Sequence, residues 1–170
     1  MLNRRTLNLS LLLYSAAGLI ASSFIHFYLY FGFNLAELSP PLWTVMHVSI
    51  IGGWVGIYFL QKSGVRYLVD FSKERSPVLL TAMTVLFAFF LFYALINFFY
   101  HEEALRYGHP DIVNGQQILV LPRGQMPHLT PEEYASAKLY QARKNSGHWM
   151  LFHLVPCMML YMNHKWAEYE

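Results

Sequence analysis

Eight histidines, 12 tyrosines and a single cysteine are the residues of this 170-residue chain best suited to chemistry. Five of the histidines, His26, His47, His101, His148 and His153, stand in or beside the ends of long apolar stretches. His26 lies seven residues before Phe33, His47 six after Pro41, and His153 six after Gly147. On helices rising 1.5 Å per residue, each offset puts an imidazole roughly 9–10 Å inside the same boundary. His101 sits at that boundary. Ionisable groups inside a membrane are costly and usually face the bundle interior or a cavity.

At 100° per residue, His26 shares a stripe with Ser15, Gly18 and Ser22, and His153 shares one with Trp149 and Cys157. His47 lies on a stripe with Trp43, Ile51, Trp54 and Tyr58, while Tyr93, Asn97 and His101 follow one another at i,i+4. His148 faces away from His153, which leaves His26, His47, His101 and His153 as the candidate ligand set. Neutral imidazole is the commonest metal ligand, and membrane bundles build cofactor sites from facing helices.

Three chemistries suit these residues. The leading one is a b-type haem between two histidines, serving electron transfer or cofactor handling. The small residues of the first two helices would make room for the porphyrin, and Arg106, Arg123 or Arg143 would meet its propionates. The next is a copper, zinc or iron ion on three or four histidines, with Glu102 or Glu103 as a carboxylate ligand. The last is a quinone or proton-relay site that uses histidine, tyrosine and asparagine without a metal. The plain alternative is that each histidine only packs, hydrogen-bonded to a tyrosine or a carbonyl.

Other motifs are excluded. His101-Glu102-Glu103-Ala104-Leu105 lacks the second histidine of a zinc protease, and no nucleophile elbow, phosphate loop or dinucleotide fingerprint occurs. Cys157 alone makes neither an intramolecular disulfide nor a cysteine-rich metal site. A net charge of +2 gives no field for nucleic acid. The expected partners are membrane lipid and a larger membrane complex or a second copy of the chain.

The elements that must position the histidines are membrane helices. The composition is 55% hydrophobic and 13% charged, about half the charge of an ordinary soluble domain. Four stretches free of Asp, Glu, Lys and Arg read as spans: about 9–35, 41–60, 78–100 and 148–162. The fold class predicted is an all-α, four-helix transmembrane bundle forming one domain over residues 1–170. The third and fourth helices are joined by an extracytoplasmic loop over 101–147. The N-terminal Asn3-Arg4-Arg5 precedes an apolar run too long for a signal peptide, so a retained helix is expected. Arg4, Arg5, Lys62, Arg66, Lys73, Arg75 and Lys165 place both termini in the cytoplasm by the positive-inside rule. Tyr67, Leu68 and Phe71 make the inner loop an interfacial segment.

Helix starts are expected at Ser39-Pro40-Pro41, at Ser76-Pro77 and, most strongly, at Thr130-Pro131-Glu132-Glu133. The last opens an amphipathic stretch over Glu132 to Lys144, with Ser146-Gly147 separating it from the fourth span. Asn114-Gly115 between apolar runs predicts a small hairpin. Small residues four apart, Ala17 with Ala21, Gly18 with Ser22 and Gly52 with Gly56, predict close helix pairing. Trp43, Trp149, Tyr28, Tyr30 and Tyr100 suit an interfacial girdle. In architecture alone the chain resembles small four-span b-type cytochromes and oxidase-associated membrane subunits, a likeness that assigns no residue.

Overall fold

A computed structural model of the chain describes residues 4–31, 40–62 and 77–166. Four helices and one hairpin make up these residues: α1 (Arg4–Tyr30), α2 (Pro40–Lys62), α3 (Pro77–Ala104), β1 (His109–Val113), β2 (Gln116–Val120) and α4 (Pro131–Trp166). Within them Thr6–Tyr30, Leu42–Leu60 and Pro77–Ala104 are long and apolar enough to cross a membrane, and α4 is not in that class. The segment at 32–35, the caps Ser39 and Ser76 and the basic loop at 63–76 lie outside the described residues.

The connection between α3 and α4 is shorter than the expected 101–147. Helix α3 continues to Ala104, and α4 runs unbroken from Pro131 through Ser146 and Gly147. Those two residues therefore divide nothing. Ser146 is fully buried, and a Cβ at position 147 would meet the Asn97 amide, so both are small because neighbouring side chains occupy the space.

Helix α4 begins at a capping box. The Thr130 hydroxyl accepts from the Glu133 N–H at 3.2 Å, and the Thr130 N–H donates to Glu133 Oε2 at 2.8 Å. Thr130→Ala removes one of these bonds and is expected to cost about 1 kcal/mol. Amide exchange in the first turn of α4 checks it: unchanged protection would mean that the cap does not hold that end.

The hairpin forms where Asn114-Gly115 predicts it. Val113 pairs with Gln116 across a two-residue turn, with φ of 53° at Asn114 and 77° at Gly115. Its inner side, Leu119 with Leu105 and Ala137, seals the end of the bundle against α4.

Helix α4 is the hub. It packs against α1, α2 and α3, and α1 also packs on α2. Gly52 and Gly56 of α2 receive the Tyr14 and Leu11 side chains of α1, which is what small residues in a helix seam permit. Helices α1 and α4 run antiparallel along most of α1: Leu29 meets Arg143, His26 meets Ser146, Gly18 meets His153, and Asn8 meets Leu160, the register slipping by about one turn toward the far end. Ile25, Leu29, Met46, Ala142 and Trp149 form the core near the hairpin, and Ile57, Leu60 and Leu160 form it at the far end.

Candidate functional site

The histidines occupy three separate places. His26, fully buried on α1, lies between α3 and α4: Nδ1 is 2.7 Å from Ser146 Oγ, and Nε2 contacts the Tyr93 hydroxyl. His101, 1% exposed, joins the same cluster through the Tyr30 hydroxyl, 3.0 Å from its Nε2. His153 points to the other side of α1, with its ring against Gly18 and Nε2 3.0 Å from Ser49 Oγ. His47 is exposed on α2, its Nδ1 donating to the Trp43 carbonyl at 2.8 Å and its ring edge-on to Trp149.

The proton positions in the His26–His101 cluster follow from its acceptors. Asn97 Nδ2 donates to the Arg143 carbonyl at 3.0 Å, so Oδ1 faces Tyr30 and takes the single Tyr30 hydroxyl proton at 2.9 Å. His101 Nε2–H must then donate to Tyr30, which leaves Nδ1 of the neutral ring as a lone pair, and that atom is buried without a partner. In the same way Ser146 spends its proton on the Arg143 carbonyl at 3.1 Å and so accepts from His26 Nδ1–H. Neutral His26 Nε2 then accepts from Tyr93. The hydroxyls of Tyr30 and Tyr93 are neighbours, but with the Tyr30 proton on Asn97 and the Tyr93 proton on His26 neither has one left for the other, so the two branches meet there without a hydrogen bond in this state.

Charges close the hairpin end of this cluster. Arg143 bonds the Leu29 carbonyl at 3.0 Å and lies over the Tyr30 ring, 4.7 Å from its centroid. It thereby satisfies an orphan carbonyl in the last turn of α1. Lys144 pairs with Glu102 at 2.6 Å, with both side chains mostly sheltered. Glu102 is thus engaged by a cation and does not lie open to a metal.

Among the described residues no three His, Cys, Asp or Glu side chains come together as metal ligands. Haem fits no better. Both His26 nitrogens are taken, and the spaces at Gly18, Gly52 and Gly56 are filled by His153, Tyr14 and Leu11. Arg106 and Arg123 are exposed in the hairpin segment at positive φ (50° and 71°). Cys157 is half-buried one turn beyond His153. We assign no step to a haem or a metal ion.

No family model, no curated protein and no solved structure matches this chain. Its own geometry carries the functional reading. Tyr30, first read as an interfacial aromatic, is the hinge of the cluster, and its position four residues after His26 is the signal that marks it. Ser146, first read as a separator, bonds His26. Ser49 holds His153 across a helix pair that no spacing within one helix could reveal.

Proposed function

We propose that this is an integral membrane protein of four crossing helices that relays protons through its His26–Tyr93–Tyr30–His101 chain. The observation that supports it is the chain itself: two phenols between two imidazoles, with His26 bonded to Tyr93 and His101 bonded to Tyr30 across α1 and α3. The antiparallel α1–α4 pairing supports the fourth crossing, since a helix paired with α1 from Asn8 to Leu29 shares its path. The basic residues of the termini and the inner loop support an orientation with the hairpin outside.

His101 Nδ1 is the open acceptor at the hairpin end. A proton taken there releases the Nε2 proton to Tyr30. Turning of the Tyr30 hydroxyl from Asn97 to Tyr93 then delivers a proton toward His26. Each hop exchanges a covalent bond for a hydrogen bond, with no electron transferred. Asn97 holds Tyr30 away from Tyr93 and so sets the resting state.

Tyr93→Phe removes one oxygen from the chain. Nitrogen NMR of labelled histidines in nanodiscs is expected to show His26 exchanging its proton about tenfold more slowly in this variant, with His101 unchanged. Equal His26 exchange in both proteins would overturn the relay.

A second reading, an accessory subunit of a larger membrane complex, is favoured by one face of α3. Val85, Phe89, Phe92, Ile96 and Phe99 are all at least 58% exposed, at the alternating four- and three-residue spacing of a helix–helix seam. Native mass spectrometry from the source membrane tests it, because a bare monomer would remove that reading.

A further inference from the structure

Helix α4 keeps one side uncovered. From Ala137 to Leu160 every residue is buried or half-buried except Phe152, which is 43% exposed. Helix α1 covers α4 at His153, α2 covers it at Trp149 and Pro156, and α3 covers it at Gly147. Among the described residues α2 and α3 do not pack on each other, so the arc of α4 between them stays open. His148 marks that arc. Its ring lies 4.8 Å from that of Phe98 on α3, and it is within electrostatic range of His47 on α2.

The residues along the arc change character with depth. Gln141, Lys144 and Asn145 lead toward His148 on one stripe, level with the last turns of α1 and α3: Ser146 meets His26, and Lys144 pairs with Glu102. Lys144 gives Glu102 one N–H at 2.6 Å and keeps two more. The side-chain amides of Gln141 and Asn145 bond to no described residue and are not among the buried polar atoms, so they stay open at the surface. Beyond His148 the same stripe continues with Phe152, Val155 and Met159. From His148 to Met159 the helix rises about 16 Å, close to half of the roughly 30 Å hydrocarbon core. The stripe therefore has donors at headgroup depth and carbon for the length of one leaflet.

We infer that a glycerophospholipid of the hairpin-side leaflet binds in this furrow between α2 and α3. Its phosphate accepts from Gln141, Lys144 and Asn145, and one acyl chain lies along Phe152, Val155 and Met159. Phosphate oxygens only accept and these three side chains bring N–H donors, one of them charged. Glu102 offsets part of the Lys144 charge, which suits a phosphodiester with one negative charge better than a dianion. The site rests on the fourth crossing proposed above and not on the relay.

Native mass spectrometry of the full chain, released from bilayers of known composition, tests it. The bilayers hold equal amounts of phosphatidylethanolamine and monogalactosyl diacylglycerol with identical chains. Wild type is expected to retain the phospholipid about tenfold over the phosphate-free lipid. Gln141→Leu/Asn145→Leu makes the stripe apolar where it faces the headgroups, and is expected to cut phospholipid retention about tenfold. Equal retention of the two lipids by wild type overturns the site, a comparison that stands without the variant. Retention unchanged in the variant overturns it too. The crossing is read separately from a spin label on Phe152→Cys in a Cys157→Ser background. A label relaxed more by a water-soluble nickel chelate than by oxygen defeats the crossing. One relaxed more by oxygen, with equal lipid retention, defeats the lipid site alone.

Discussion

Gly18→Leu is expected to lower the stability of the bundle by about 3 kcal/mol or more. A Cβ at position 18 would already press on Cε1, Nδ1 and Nε2 of His153. The ring has little freedom to yield. It lies buried, with Nε2 bound to Ser49, whose hydroxyl is fastened to the Met46 carbonyl at 2.7 Å. Leucine therefore has to push α1 and α4 apart at the middle of their longest contact. Gly115→Ala is the contrasting change: no atom lies within 4 Å of the added carbon, and only the φ of +77° is strained, at about 1 kcal/mol. Reversible unfolding in mixed micelles separates the two. Equal midpoints for Gly18→Leu and wild type would mean that α1 and α4 do not approach as described.

His26→Leu follows with a loss of about 2–3 kcal/mol. Leucine fills much of the imidazole space but leaves the Tyr93 hydroxyl without its acceptor and Ser146 without its donor. Most of the loss comes from leaving polar groups unpaired in an apolar site. The double variant His26→Leu/Tyr93→Phe should therefore regain about 1 kcal/mol over His26→Leu alone. Simple addition of the two single effects would show that no hydrogen bond couples them.

The helices were legible because charge-free stretches of this length have few other uses, and the hairpin because Asn-Gly suits the two left-handed positions of its turn. The Thr130 cap was legible for a similar local reason. Rotation about a helix axis was harder to read. His26, His47 and His153 share a depth, yet depth does not say which way a side chain turns. Helix α2 buries Met46, Gly53, Ile57 and Leu60, so the stripe of His47, Ile51, Trp54 and Tyr58 faces outward. The run Tyr93, Asn97, His101 was visible as one stripe, but its partners Tyr30, Ser146 and Arg143 come from other helices. Ser146-Gly147 misled because small residues that break a free helix also let two packed helices touch.

The hub position of α4 bears on how the protein is made. Its stretch from Ser146 to Asn163 carries Gly147, His148, His153 and Pro156, and lipid alone offers these groups nothing. What welcomes them is α1, with its notch at Gly18 and the Asn8 amide waiting for the Leu160 carbonyl. On the four-span reading, α4 is made after α1 and enters the bilayer by assembly onto it, rather than by its own partitioning. The newly made chain must then pass through a three-helix intermediate in which α1 displays its buried polar face, the stage at which a membrane chaperone would have something to hold.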